Sequence, residues 1–237
     1  MLALAFAEKT LSGLVFSALV VGIATYFGQP FIFDPIVLIC FIAIAITFRR
    51  NIDLLSICSV FIAERALEEL MWRFLENTIA FKIPSYLMLI AICFYFSSGF
   101  IRAYALTFLT LAASIEFYWY ISDYDAPFIL WYCYLITILI IVRRFLRMRV
   151  FWLIELNPKW EPAPLALDSQ LLLANAGFII SSSLAVFEFY IRHLTSYKEV
   201  LYVYNFFPYF NGILSVFILY VIIIQSILHL KAIELEA

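Results

Sequence analysis

Residues 210–228 read FNGILSVFILYVIIIQSIL, a run without a single charged side chain. A helix needs roughly 20 apolar residues to cross the hydrocarbon core of a bilayer, which is about 30 Å thick. Helices of soluble proteins rarely contain apolar runs of this length, because a helix at the protein surface keeps one polar face. The stretch therefore predicts a membrane-spanning helix.

Six further stretches have the same character, and each carries at most one charged residue: Leu11–Phe27, Pro35–Phe48, Pro84–Ile101, Ala103–Ile121, Phe128–Val142 and Gln170–Ile191. Only 14% of the 237 residues are charged, whereas soluble domains carry roughly 25%. The sequence thus predicts an all-α, polytopic membrane helix bundle of about eight spans. We expect residues 1–237 to form a single integral-membrane domain.

The segment Asn51–Lys82 is ambiguous, because its first half is apolar and its second half is charged. Its charges fall on one half of a helix surface, so it either crosses the bilayer or ends in the interface. Short cytoplasmic loops are enriched in Lys and Arg. The two clearest basic clusters, Arg49–Arg50 and Arg143–Arg149, share one side only if this segment crosses. We therefore expect eight spans with both termini cytoplasmic.

The longest inner connection follows the second basic cluster. Its first part is apolar and contains Trp152, and it is followed by Asn157-Pro158 and two further prolines. Tryptophan favours the headgroup layer, and proline cannot continue a helix. The pattern predicts one short interfacial helix near residues 150–157.

Carboxylates occur at membrane depth on three of the predicted helices. At about 1.5 Å per residue, Glu64, Glu116 and Glu188 all fall in the outer half of the bilayer. Such groups are costly in lipid and normally face protein or water. We expect an ion or proton path, or a buried polar network, formed by Glu64, Arg65, Glu68, Glu69, Arg73, Glu116 and Glu188.

Two interpretations of these residues remain open. In one, Glu64, Glu68, Glu116 and Glu188 line a cavity that binds a cation or relays protons. In the other, the charged end of the segment is a solvated cap where the helix leaves the lipid, formed by Glu68, Glu69, Arg73 and Glu76. Glu188 then lies at the interface, and Glu64, Arg65 and Glu116 form a structural ion pair.

Two other groups of residues suggest a helix-packing surface and a surface for lipid or a partner protein. Gly177, Ser181 and Ala185 share a helix stripe with Glu188, and small residues at this spacing let helices approach closely. Four arginines, Arg143, Arg144, Arg147 and Arg149, are expected to meet anionic lipid or a cytoplasmic partner.

No known chemical motif accompanies these features. The four cysteines and two histidines lack metal-binding spacing, so we expect neither a metal site nor a cofactor. No basic tail or patch indicates nucleic acid.

Three functions remain open. The first is a non-enzymatic subunit of a homo-oligomer or membrane complex, with or without cation or proton transport. It would lie among the lipids of the cell membrane, which is the inner membrane in a bacterium. The second is a membrane enzyme that acts on a lipid or lipid-linked substrate, with Asp123 and Asp125 as the nearest pair of loop acids. The third is an anchor, sensor or scaffold for a cytoplasmic partner.

Overall fold

A computed structural model describes Gly13 and residues 30–75, 79–95, 99–124, 130–195 and 202–236. Nearly all of these residues are helical, and none of them lies in a strand. The helices are α1 (Pro30–Thr47), α2 (Ile52–Leu75), α3 (Ile79–Tyr95), α4 (Gly99–Ile121), α5 (Leu130–Leu156), α6 (Ala166–Leu194) and α7 (Tyr202–Glu236). The predicted all-α class is confirmed.

Two helices are long and apolar enough to cross a membrane within the described part of the chain. They are α6 and the Tyr202–His229 part of α7. Two shorter apolar helices, Phe33–Thr47 and Tyr86–Tyr95, lie in α1 and α3. The expected first span, Leu11–Phe27, lies outside the described residues except for Gly13. The count of eight spans therefore stays a prediction.

Helix α5 differs from the sequence-based expectation at its C-terminal end. It continues without a break through 27 residues, about 40 Å of helix, so residues 150–156 form no separate interfacial helix. The segment contains neither glycine nor proline to interrupt the backbone hydrogen bonds. The helix ends where the Asn157 amide donates to the Leu153 carbonyl at 3.1 Å, directly before Pro158.

The described residues fall into two compact units. The first unit consists of those in Met1–Ala66, Val142–Phe178 and Pro208–Ala237. Its core includes a stacked pair of rings, Phe41 and Phe61, whose centroids are 5.5 Å apart. Helices α6 and α7 approach closely in this unit. A Cβ atom added at Gly177 would lie only 3.0 Å from the Leu214 Cδ1 atom.

The second unit consists of the described residues in Leu67–Ile141 and Ile179–Phe207. Its core draws side chains from four helices: Ile92 and Cys93 of α3, Ala105 of α4, Ile136 and Ile140 of α5, and Val186 of α6. The expectation of a single domain over residues 1–237 remains a prediction.

The C-terminal end of α4 is closed by a left-handed residue. Asp123 has a φ of 52°, which aspartate tolerates better than most residues. The Tyr124 amide donates to the Trp119 carbonyl at 3.0 Å, and the two rings lie 6.3 Å apart. This hydrogen bond and ring contact are typical of a Schellman helix end. The turn holds Tyr124 beside the last residues of α4.

Candidate functional site

Arg65 is the centre of a buried charged cluster in the first unit. Its Nη2 donates to the Ser215 Oγ of α7 at 2.8 Å. The Nε lies 3.5 Å from Glu64 Oε2, and Nη1 lies 3.7 Å from Asp34 Oδ1 of α1. The guanidinium carbon is 5.3 Å from the centroid of the Phe178 ring of α6.

One guanidinium thus joins side chains from four helices of the first unit. Glu64 and Arg65 are both buried, while Asp34 is about half exposed. Each carboxylate offsets part of the cost of burying the guanidinium, and the π face of Phe178 adds to this. This arrangement can hold the helices together. The structural ion pair predicted from the sequence included two members of the cluster, Glu64 and Arg65.

Arg149 forms a second charged cluster in the first unit. Its side chain is 3% exposed. Nη1 pairs with Asp53 in the first turn of α2, and Nη2 lies 3.0 Å from Asp168 Oδ2 in the first turn of α6. Nη2 also donates to the Ala163 carbonyl at 2.7 Å. The guanidinium therefore ties the connection before α6 to the starts of two helices.

The two aspartates also accept hydrogen bonds from the backbone of this connection. The Ala163 amide lies 3.3 Å from each Asp53 carboxylate oxygen, and the Leu165 amide donates to Asp168 Oδ2 at 2.9 Å. Asp168 therefore satisfies a backbone donor at the N-terminus of α6, where a carboxylate is also favoured by the helix dipole.

The four arginines expected at a lipid or partner surface have different environments. Arg147 is exposed, and Arg143 and Arg144 are partly exposed. Arg143 Nη1 donates to the Leu172 carbonyl at 2.5 Å. Arg149 is buried, contrary to the expected surface position, because Asp53 and Asp168 provide opposite charge inside the unit.

Glu188 closes the N-terminus of α7 in the second unit. Its side chain is buried, and Oε2 accepts a hydrogen bond of 2.6 Å from the Tyr204 amide. The first amides of a helix have no partner within the helix, and a carboxylate there gains a charge-assisted bond. The Glu188 Oε1 atom is buried and makes no hydrogen bond within the described residues.

Glu116 of α4 is part of a polar cluster that includes side chains from three other helices in the second unit. Tyr86 of α3, Cys133 of α5 and Tyr190 of α6 lie close enough to the Glu116 carboxylate to interact with its charge. The Tyr86 and Tyr190 hydroxyls are both buried, and neither has a hydrogen-bond partner in the described part of the chain.

Two further polar contacts join α4, or the turn after it, to α6 in the second unit. The Tyr104 hydroxyl and the Ser183 Oγ atom are 3.4 Å apart. The Tyr124 hydroxyl lies 3.0 Å from His193 Nδ1. Trp119 and Phe189 also surround His193, with ring centroids 6.1 Å and 4.3 Å from the imidazole.

The expected polar path residues belong to different units. Glu64 and Arg65 lie in the first unit, and Glu68, Glu69, Glu116 and Glu188 lie in the second. Glu68 and Glu69 are partly exposed. The side chain of Arg73 and all of Glu76 lie outside the described residues. A common cavity for these carboxylates remains a prediction.

The small residues expected to form a packing stripe on α6 are Gly177, Ser181 and Ala185. Gly177 lies against Leu214, as described above, and Ser181 and Ala185 are buried together with Glu188.

Sequence reasoning did not identify Asp53, Asp168, Tyr86, Cys133 or Tyr190 as site residues. The two aspartates carried a signal, because each lies in the first turn of a helix. The two tyrosines and the cysteine carried none, because such residues are common in apolar spans and only their neighbours distinguish them.

No group of three or more His, Cys, Asp and Glu side chains that could hold a metal ion occurs among the described residues. Comparison of the chain with protein-family models, curated proteins and solved structures finds no match in any of the three.

Proposed function

We propose that this chain is a multi-pass integral membrane protein that functions as a non-enzymatic subunit. The observation that supports this most is the exposed surface of its two long apolar helices. On α6 the exposed stripe consists of Leu173, Ile180, Leu184 and Phe187, and Leu173 is 72% exposed. In contrast, Asn175 and Ser182 of the same helix are 1% and 0% exposed.

Helix α7 has the same inverted pattern. Its exposed stripe consists of Ile213, Phe217, Tyr220, Ile224 and Leu228, while Ser215 and Ser226 are buried. Such continuous apolar stripes are unfavourable in water and suit acyl chains. Buried hydroxyls suit packing between membrane helices.

The charged residues of α2 and α5 are compatible with further crossings. Arg65 and Arg149 are buried with acidic partners, and pairing of this kind is how charged groups are accommodated in membrane proteins. We propose the eight-span topology with cytoplasmic termini on this basis together with the basic clusters. Membrane lipids and further copies or other subunits are the proposed partners.

The contacts of Glu64 and Glu188 favour a structural role for both. Glu64 pairs with Arg65, and Glu188 caps α7. Glu116 differs, since its described neighbours include neutral hydroxyl and thiol groups from three other helices. A proton or cation path through the second unit is the sharper form of the proposed function, and Glu116 is its proposed ion-binding residue.

Labelling of single cysteines tests the membrane embedding. In a variant whose four native cysteines are serines, Leu173→Cys and Ile213→Cys should react with a lipid-soluble maleimide only. Asp123→Cys and Arg147→Cys should react with a membrane-impermeant maleimide from opposite sides of sealed vesicles. Rapid reaction of the Leu173→Cys or Ile213→Cys variant with the impermeant reagent would overturn the proposal.

Ion flux into liposomes tests the sharper form. The purified chain should dissipate an imposed proton or sodium gradient, and Glu116→Gln should reduce the rate at least about tenfold if this carboxylate binds the ion. Glu161→Gln is the matched control, because Glu161 is an exposed acid outside the helices. Absence of flux from the folded chain would remove ion conduction and leave the membrane embedding unaffected.

A further inference from the structure

The connection between α1 and α2 is a tight turn that exposes two arginines. The Asn51 amide donates to the Phe48 carbonyl at 2.8 Å, which is the hydrogen bond that closes a β-turn. The Asn51 Oδ1 atom accepts a hydrogen bond of 3.0 Å from the Leu54 amide and so caps α2. Phe48 is buried, while the two central residues of the turn, Arg49 and Arg50, are exposed. The turn therefore holds two cations at the surface of the first unit.

Two further exposed cations lie on α5 and in the connection that follows it. In this connection the Trp160 amide donates to the Asn157 carbonyl at 3.0 Å, and the Lys159 amide donates to the Asn157 Oδ1 atom at 3.1 Å. Lys159 is a central residue of this second turn and is exposed. Arg147 of α5 is exposed as well, because it lies about 200° around the helix from the buried Arg149.

The Arg149 cluster brings these four cations to one end of the first unit. Asp53, three residues after Arg50, pairs with Arg149. The two carboxylate oxygens of Asp53 also lie 3.3 Å from the amide of Ala163, four residues after Lys159. One carboxylate thus joins the start of α2, the end of α5 and the connection after α5. Segments that are distant in the sequence therefore contribute to one basic surface.

The charge and the aromatic side chains of this surface fit a membrane. Its four exposed cations are accompanied by two exposed acids in the two turns and the C-terminal half of α5, Glu155 and Glu161. Phe151, Trp152 and Trp160 are exposed in the same segments. Tryptophan favours the headgroup layer, and lysine and arginine are attracted to anionic headgroups. An excess of cations beside exposed aromatic rings is therefore suited to an anionic lipid surface.

We propose that this end of the first unit binds the headgroups of anionic phospholipids, through contacts of Arg49, Arg50, Arg147 and Lys159 with their phosphates. A guanidinium donates two parallel hydrogen bonds to one phosphate, and an ammonium binds it as a point charge. This inference rests on the proposed function, because the proposed topology places both turns at the cytoplasmic leaflet.

These cations differ from the arginine cluster that the sequence suggested. Arg149 is buried with its two aspartates, and Arg143 donates to the Leu172 carbonyl. Arg147 is the fully exposed member of that cluster. The other three cations of the surface come from the two turns, which the Asp53 carboxylate holds beside the end of α5.

Native mass spectrometry of the purified full chain tests the lipid preference. The neutral detergent contains equal amounts of phosphatidylglycerol and phosphatidylcholine with the same acyl chains. The parent should retain phosphatidylglycerol in at least about tenfold excess, since each cation at an anionic surface strengthens binding about fivefold. A variant that combines Arg49→Gln, Arg50→Gln, Arg147→Gln and Lys159→Gln should lose this excess. Equal binding of both lipids by the parent, or an unchanged excess in the folded variant, would overturn the inference.

The single variant Lys159→Gln applies if the combined variant does not fold, as thermal unfolding shows, and it should lower the excess several-fold. Lysine in place of the three arginines keeps their charge and should keep most of the excess. A loss as large as that in the glutamine variant would mean that the substitutions act through packing, and would overturn the inference. The matched control combines Glu155→Gln and Glu161→Gln, which removes two exposed charges of opposite sign, and the excess should stay equal or rise.

The cysteine labelling described above tests the membrane embedding separately. A parent chain that labels as an embedded protein but binds both lipids equally would contradict this inference alone. That result would leave the basic surface to a soluble anionic partner, and the proposed function would stand.

Discussion

The charged side chains that distinguish the first unit and the second unit have different surroundings. In the first unit, each buried arginine contacts two carboxylates: Arg65 with Glu64 and Asp34, and Arg149 with Asp53 and Asp168. In the second unit, Glu116 lies near two tyrosines and a cysteine. A buried pair of opposite charges costs most when it is broken, so the first arrangement holds helices together. The proposed ion-binding role of Glu116 concerns a carboxylate whose described neighbours include neutral hydroxyl and thiol groups.

Breaking the Arg149 cluster should have the largest effect on stability. Arg149→Ala leaves Asp53 and Asp168 largely buried without their cation, which should cost about 3–5 kcal/mol of the free energy of unfolding. Denaturant or thermal unfolding in detergent measures the change. The control is Arg147→Ala, an exposed arginine of the same helix, which should cost less than about 0.5 kcal/mol. Similar effects of the two substitutions would remove the structural role of Arg149.

Removing Arg65 should have the next largest effect, because Asp34 is partly exposed and can be solvated. Arg65→Met should cost about 3 kcal/mol, since Glu64 then stays buried without its cation. The double variant Glu64→Gln, Arg65→Met should recover part of this loss, as a double-mutant cycle on an unfolding measurement would show. Strictly additive losses would mean that the two side chains do not stabilise each other.

Loss of the cap on α7 should be smaller and local. Glu188→Ala removes a hydrogen bond between a carboxylate and the Tyr204 amide and should cost about 2 kcal/mol. Hydrogen exchange should accelerate most in the first turn of α7. If exchange instead accelerates uniformly along α7, Glu188 acts through packing rather than through the cap.

A substitution at the close contact between α6 and α7 in the first unit should have a smaller effect on stability. Gly177→Ala brings a Cβ atom to 3.0 Å from Leu214 Cδ1. The packing cost of about 1 kcal/mol should cancel the gain of up to about 1 kcal/mol that alanine brings to a helix, so the free energy of unfolding should not rise. Gly99→Ala is the matched control, because nothing lies within 4 Å of its Cβ position. Equal unfolding free energies for the two variants would contradict a tight contact at Gly177.

Glu116→Gln should have the smallest effect on stability. It is also the most direct test of the difference between Glu116 and the paired arginines of the first unit. A carboxylate that binds a proton can be replaced by its neutral isostere with a change below about 1 kcal/mol. Thermal unfolding beside the flux assay measures both properties of one variant. A large loss of stability would make Glu116 a structural residue like Arg65 and Arg149.

The sequence predicted the helices well where they follow from the spacing of apolar and charged residues that are close together in the chain. The apolar runs in α6 and α7 and the helical character of the charged segment in α2 follow from spacing alone. The end of α5 was missed, because an apolar stretch with Trp152, followed by three prolines, suggested a separate interfacial helix. Helix α5 instead continues to Leu156, and no glycine or proline interrupts it.

The candidate site was predicted only in part. Glu64, Glu116 and Glu188 were conspicuous because carboxylates are rare in apolar spans. Their separate roles depend on neighbours that are distant in the chain. Arg149 provides the clearest case: four clustered arginines look like a lipid-facing surface, yet its partner Asp53 is 96 residues away.

By itself, the sequence determined that the chain is helical and that its longest helices are almost purely apolar. Both properties depend on residues within a few turns of one another, through backbone hydrogen bonds and side-chain polarity. Only the tertiary structure decided which charges pair and which polar groups lie beside Glu116. Pairing depends on distances between helices, and Coulomb and hydrogen-bond energies change steeply over a few ångströms that no spacing along the chain specifies.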